Sequence, residues 1–112
     1  MKIRKREIGD VVVLDVNGNI LGQPDGELFQ ETIRSLIATG TRKVLVNLGN
    51  VGWINSTGLG TLIAGFTEMQ KGGGTLKLVA VSPRIQSVLA VTRLTTIFEA
   101  FQEEEEAVRS FT

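Results

Sequence analysis

The sequence of 112 residues contains no cysteine and no histidine. Without these residues the chain lacks the usual ligands of zinc, and neither a Ser-His-Asp triad nor a Cys-His pair can form. The absence of cysteine also excludes disulfides, which fits a cytoplasmic protein. No calcium-loop pattern is present either. We therefore expect no metal, no cofactor and no enzymatic activity of the chain by itself.

The sequence also lacks a net charge and long apolar runs, and each absence argues against one kind of binding partner. The formal net charge is zero, which argues against a broad nucleic-acid-binding surface. No apolar run approaches the roughly 20 residues that a membrane span needs, and the basic residues at the start lead into no signal-peptide core. These features predict a single domain over residues 1–112 that binds neither nucleic acid nor membrane.

Alternating apolar and polar residues predict strands at the beginning of the chain. In residues 2–6, Ile3 and Lys5 would lie on one face of a strand and Lys2, Arg4 and Arg6 on the other, which indicates a short, charged edge strand. Residues 11–16 are rich in valine and predict a second strand. We expect the Asn-Gly-Asn sequence at 17–19 to form its hairpin turn, followed by a short return strand from residue 20.

Helical and extended patterns alternate in the rest of the chain. Helices are predicted from about 24 to 38, 57 to 71, 83 to 89 and 103 to 111, and strands at 44–48, 75–81 and 95–98. Ser82 is the expected cap of the third helix, with Pro83 at its first position. Such alternation gives parallel strand pairs beside the antiparallel hairpin. The expected fold is α/β, a mixed β-sheet of four to five strands with about four helices packed against it.

Residues 53–60, Trp-Ile-Asn-Ser-Thr-Gly-Leu-Gly, are the most informative segment of the sequence. They join a buried strand to a helix, with the hydroxyls of Ser56 and Thr57 at the junction. A helix N-terminus offers unpaired N–H groups and a positive dipole end, which suit a phosphate. Trp53 is expected to lie in the core. The spacing of the glycines excludes a P-loop, and the neighbours of Ser56 exclude a Gly-x-Ser-x-Gly nucleophile elbow.

The segment from Asn55 to Gly60 resembles the Asp-Ser-Ser/Thr-Gly-Leu-Gly signature of the STAS domain, as found in bacterial anti-sigma factor antagonists. Residues 46–51 are similar to the strand and loop that precede this signature, and Ser82-Pro83 to the start of the next helix of the family. The resemblance covers nearly the whole chain, and it implies a single STAS domain over residues 1–112.

This resemblance implies a regulatory function in bacterial transcription and stress response. Ser56 matches the serine that a cognate anti-sigma factor kinase phosphorylates, with Thr57 as the alternative site. The unphosphorylated antagonist binds the anti-sigma factor and frees a sigma factor. Phosphorylation dissociates this complex, and a PP2C-type phosphatase restores binding. The resemblance thus implies partner switching in the cytoplasm.

Small side chains at the start of the second helix predict the surface that the partner contacts. They let another backbone approach closely, whereas a phosphoryl group adds bulk and roughly −1.5 to −2 charges. A partner would then lose its fit, and would meet like charge if it were acidic. The predicted partner-binding residues are Asn55, Ser56, Thr57, Gly58, Gly60, Thr61 and Ala64.

Asn55 departs from the family signature, which has Asp at this position. An asparagine keeps much of the capping ability but lacks a negative charge beside the hydroxyl. If the kinase or the phosphatase reads that charge, Ser56 is phosphorylated weakly or not at all. The alternative function is then an unphosphorylated STAS scaffold, which assembles with other domains or with further copies of itself.

Overall fold

The computed structural model describes residues 1–22 and 24–111. Its elements are β1 (Lys2–Ile8), β2 (Val11–Asn17), α1 (Asp25–Ala38), β3 (Lys43–Asn50), α2 (Ser56–Lys71), β4 (Thr75–Val79), α3 (Pro83–Val91), a 3₁₀ turn (Leu94–Thr96), β5 (Ala100–Phe101) and α4 (Glu104–Arg109). The starts and ends of α1 and α2 agree with the sequence prediction within a residue or two, because proline, asparagine and glycine signals mark them.

The five strands form one mixed sheet in the order β1-β2-β3-β4-β5. β1 is antiparallel to β2, and the other neighbouring pairs are parallel. Parallel neighbours need a crossover connection, and α1, α2 and α3 lie in these connections. The predicted α/β fold, with a mixed sheet and four helices, is therefore confirmed.

Alternate side chains of the central strands supply two separate cores, one on each face of the sheet. On one face α1, α2 and α3 cover the larger core, in which Phe29 and Leu62 pack near Val46. On the other face the short α4 brings Ala107 to a smaller core around Leu45. α1 and α2 therefore lie side by side on the same face of the sheet.

The antiparallel hairpin lies earlier in the chain than the sequence predicts. Gly9 and Asp10 form the turn between β1 and β2, and Gly9 has a φ of +61°, as the first position of a type II′ turn requires. The predicted hairpin turn at 17–19 is wrong. Gly18 N–H instead donates to the carbonyl of Asn50, so the chain crosses the end of β3. The predicted return strand is also wrong, since residue 20 forms only an isolated parallel bridge.

The end of the chain also differs from the prediction. The sequence predicts a strand at 95–98 from its branched and aromatic residues, and this prediction is wrong. The chain forms the 3₁₀ turn at Leu94–Thr96, and β5 follows at Ala100–Phe101. Phe98 is buried and packs edge-on against Phe66, with ring centres 5.3 Å apart. The Phe98 side chain therefore packs in the larger core beneath the helices. Tertiary packing overrides the strand propensity of this segment.

Candidate functional site

The candidate site lies where the chain passes from β3 into α2. Ile54 precedes the helix and forms a parallel bridge with Ile20. The loops that follow β2 and β3 therefore run side by side at the carboxyl ends of these strands. Ile20 N–H donates to the carbonyl of Trp53 (3.1 Å), and Asn55 N–H donates to the carbonyl of Ile20 (3.4 Å). Both isoleucines are buried. The loop before α1 thereby fixes the position at which α2 begins.

Asn55 joins the loop before α1 to the first turn of α2. Its Oδ1 accepts a hydrogen bond from Gly58 N–H (2.8 Å), and its Nδ2 donates to the carbonyl of Leu21 (2.8 Å). Asn55 is therefore the N-cap of α2, and Ser56 is the first helical residue. The hydroxyl of Ser56 is therefore not needed to begin the helix.

Ser56 and Thr57 are both exposed at the start of α2. Their backbone N–H groups belong to the first turn, where no preceding helical carbonyl is present to accept a hydrogen bond. The Ser56 hydroxyl makes no hydrogen bond within the part of the chain that the structure describes. It is thus accessible to an enzyme and stands beside the positive end of the helix dipole.

The other predicted partner-binding residues divide into exposed and buried positions. Gly60 and Ala64 are exposed, and a Cβ added to Gly60 would meet nothing within 4 Å. Gly58 is buried, and a Cβ there would overlap the carbonyl of Ile20. Thr61 is 7% exposed, with its hydroxyl donating to the carbonyl of Thr57 (3.2 Å). The exposed members form a surface of small side chains, while Gly58 sets how closely the loop and the helix pack.

A groove of about 370 Å³ lies between α1 and α2, and this surface forms part of one wall. We call it the α1–α2 groove. From α2 it is lined by Thr57, Gly60, Thr61 and Ala64, all four of them predicted partner-binding residues. The opposite wall comes from α1, and no feature of the sequence placed α1 at this site. Whether these residues bind a partner stays a prediction.

Trp53 lies on the surface, so its predicted place in the core is wrong. Its side chain is 39% exposed, and the Arg84 guanidinium lies 4.6 Å from the ring centre. Alternation along the extended segment explains this, because Ile54 turns inward and its neighbour turns outward. Leu21 is also exposed (46%), and its carbonyl meets Asn55. No pattern in the sequence places Leu21 or Arg84 at this site, because only the fold brings them near.

The strongest charge cluster lies away from this site, between β1, β2 and α4. Arg6 donates to Asp15 (Nε–Oδ2 2.5 Å) and to Glu104 (Nη2–Oε1 2.5 Å). The hydrogen bond from Arg6 holds the pKa of Asp15 below its usual value, and Asn47 Nδ2 donates a second hydrogen bond to the same carboxylate (2.8 Å). At the exposed end of β3, Lys43 likewise lowers the pKa of Asp10.

Neither a metal site nor a membrane span is found in residues 1–22 and 24–111. No group of three or more His, Cys, Asp or Glu side chains there is arranged to hold a metal ion. None of the helices described combines the length and the apolar character that crossing a membrane requires.

The sheet order, the position of α2 and the sequence at its start agree with one known family. The model of the STAS domain matches residues 2–107. The chain belongs to the STAS domain family. This match confirms the resemblance carried by residues 55–60 and by the order of the elements.

Relatives of this STAS domain include proteins of known sequence and of known structure. The anti-sigma-B factor antagonist of Bacillus subtilis is 30% identical over 98 residues, which is 85% of this chain and 89% of that protein. A candidate anti-sigma factor antagonist from Thermotoga maritima has a TM-score of 0.88 at 24% identity, over 97% of this chain and 93% of that one. The Bacillus cell fate determinant SpoIIAA, in its phosphorylated form, has a TM-score of 0.75 at 19% identity, over 99% and 100%. The two structures establish the shared fold.

Proposed function

We propose that the chain is an anti-sigma factor antagonist that works by partner switching. In its unphosphorylated form it binds a cognate anti-sigma factor, itself a serine kinase, and a sigma factor is released. Phosphorylation of Ser56 ends this binding, and a PP2C-type phosphatase restores it. The proposal makes the chain a regulatory binding protein and a kinase substrate, acting in the cytoplasm. It is not itself an enzyme in this scheme.

The observation that carries the proposal is the position of Ser56. Its hydroxyl is exposed and is not needed as a cap, since Asn55 fills that role. It adjoins a surface of small side chains, including Gly60 and Ala64. A residue so placed can be modified without loss of the fold, while the surface beside it changes.

The chemistry of the switch is local. The kinase transfers the γ-phosphoryl group of ATP to the Ser56 oxygen, which loses its proton, and ADP leaves. The product carries roughly −1.5 to −2 charges at the start of α2, where the helix dipole and free N–H groups favour an anion. The added bulk then blocks close approach to Thr57 and Gly60. No internal rearrangement is required, because the change occurs at the contact surface.

Two relatives support this proposal. The Bacillus subtilis relative is named an anti-sigma-B factor antagonist, and the match covers most of both chains. SpoIIAA, which shares the fold, has been solved in both phosphorylated and unphosphorylated forms. A STAS fold is thus compatible with a phosphoryl group.

Asn55 favours the alternative of an unphosphorylated scaffold. Its amide donates to the carbonyl of Leu21, a hydrogen bond that an ionised Asp cannot make. This chain therefore has a loop–helix bridge in place of the negative charge in the family signature. If phosphorylation depends on that charge, the chain binds its partners without the switch.

Phosphate mapping distinguishes the two functions. The purified chain is incubated with ATP and the anti-sigma factor kinase encoded in the same genome, and intact mass and peptide mapping locate the phosphate. We expect one phosphate on Ser56, none in Ser56→Ala and unchanged labelling in Thr57→Ala. Phosphate on Thr57 would keep the switch and move its site. No phosphate, with a kinase shown to be active on another substrate, would favour the scaffold.

A further inference from the structure

The α1–α2 groove has two distinct ends because the helices run side by side in the same direction. A Cβ on Gly26 would lie 3.1 Å from the Thr61 hydroxyl, and one on Gly72 would meet the side chain of Ile37. The first turn of α1 therefore lies beside the first turns of α2. One end of the groove adjoins Ser56, and the other lies toward the middle of both helices.

The charges along the groove differ between these ends. Glu27, Glu31 and Arg34 line the α1 wall at successive helical turns. Of these three, Glu27 lies nearest to the end at Ser56 and Arg34 lies farthest from it. All three side chains are exposed. In the part of the chain that the structure describes, none of them forms an ion pair. Their charges are thus available to an occupant of the groove.

Gln30 adds an unsatisfied acceptor to the same wall. Its Nε2 donates to the carbonyl of Thr61 (3.2 Å), which fixes the orientation of the amide. Its Oε1 is buried and has no donor among the described residues. A buried acceptor without a donor is unfavourable, and most such groups in folded proteins are satisfied. An N–H group of an occupant would supply the missing donor after a small shift of the side chain.

We propose that the α1–α2 groove binds a basic segment of the anti-sigma factor, with a Lys or Arg beside Glu27 and Glu31. An acidic residue of the same segment would lie toward Arg34, which fixes the direction of the segment. This inference rests on the proposed function and identifies the chemistry of its partner. In this arrangement a phosphate on Ser56 acts through its bulk and by competing for the partner's cation. Repulsion of an acidic partner is not involved.

Charge reversal on the groove wall tests the proposal. The probe is the purified anti-sigma factor kinase encoded in the same genome, with affinity measured by isothermal titration calorimetry. We expect Glu27→Lys/Glu31→Lys to bind at least about tenfold more weakly, because like charges would then face each other. The loss should shrink at about 0.5 M salt, where exposed charges are screened. Glu27→Gln/Glu31→Gln should show a smaller loss of the same kind.

The matched control is Glu103→Lys/Glu106→Lys, which makes the same charge change at the start of α4, on the other face of the sheet. Both acids are exposed, and this variant should bind within about twofold of the parent because distant rim charges matter little. Circular dichroism of each variant establishes that it is folded. Reversal of single Lys or Arg residues of the kinase to Glu should restore binding to Glu27→Lys/Glu31→Lys at one position.

The outcomes separate this inference from the proposed function. If the groove variants bind as the parent does while Ser56→Glu does not, the groove proposal is wrong and the switch stands. If the parent does not bind the kinase, the proposed function fails and the groove proposal fails with it. Concentration-dependent self-association that Glu27→Lys/Glu31→Lys abolishes would instead assign the groove to a second copy of this chain and overturn the proposal.

Discussion

The side-chain amide of Asn55 makes two hydrogen bonds, one as an acceptor and one as a donor. Oδ1 accepts from Gly58 N–H and Nδ2 donates to the carbonyl of Leu21. A carboxylate at this position retains the first bond but places negative charge against a carbonyl oxygen. The residue that departs from the family signature therefore has a structural role in this chain.

Asn55→Asp tests this role. We expect the substitution to lower the free energy of unfolding by about 1–2 kcal/mol, because the Leu21 carbonyl loses its donor. Asn55→Ala should cost about 2 kcal/mol, since it removes the cap as well. Urea denaturation measures both. The control Asn19→Asp, at an exposed loop position, should change stability by less than about 0.5 kcal/mol. An Asn55→Asp variant as stable as the parent would contradict the role of the bridge.

Two glycines of α2 offer a matched pair of substitutions. Gly58→Ala places a methyl group against the backbone carbonyl of Ile20, which cannot move aside like a flexible side chain, and we expect a loss of about 2 kcal/mol or more. Gly60→Ala meets open space and should stabilise the helix by about 0.5–1 kcal/mol. Thermal and urea unfolding measure both changes. Equal effects of the two would show that the loop does not approach α2 closely.

Helices were more predictable than turns at the scale of single elements. The third helix begins as predicted, with the Ser82 hydroxyl accepting from Ile85 N–H (3.3 Å) and Pro83 at the first position. Such caps act within one turn of the chain, so the sequence contains the whole signal. The Asn-Gly-Asn sequence at 17–19 indicates only a bend. Whether the bend reverses the chain or carries it across β3 depends on distant residues such as Asn50.

Arg6 ties α4 to the sheet and makes stability depend on pH. Because its hydrogen bonds lower the pKa of Asp15 in the folded protein, Asp15 stabilises the fold at pH values above its usual pKa of 3.8. This contribution is lost as the pH falls through the lower folded-state pKa. We expect Asp15→Asn to be less stable than the parent near neutral pH, with a difference that shrinks in acid.

Urea unfolding at constant ionic strength, from about pH 7 to about pH 3, measures this difference. Asp10→Asn is the comparison variant. Lys43 also lowers the pKa of Asp10, but this pair is exposed and such pairs contribute little, so the difference from the parent should be small at every pH. The role of Arg6 would be refuted if the difference between Asp15→Asn and the parent stayed constant as the pH falls.

At the scale of the whole molecule, the sequence predicted the sheet, the helices and the hydroxyls at the start of α2. It did not predict the α1–α2 groove, because α1 and α2 come together only through the order of the parallel strands. The exposure of Trp53 escaped prediction for a related reason. An aromatic residue beside buried isoleucine is typical of a core, and only the bridge from Ile20 to Ile54 determines which side chain turns outward.

The central claim is that a phosphate on Ser56 controls binding of the anti-sigma factor. The most direct test is the dissociation constant of the purified anti-sigma factor kinase for the chain before and after stoichiometric phosphorylation, with Ser56→Ala taken through the same treatment. We predict tight binding of the unphosphorylated chain, at least about a hundredfold loss after phosphorylation, equivalent to about 2.7 kcal/mol, and no loss in Ser56→Ala. Equal affinity of the phosphorylated and unphosphorylated chains would contradict the account.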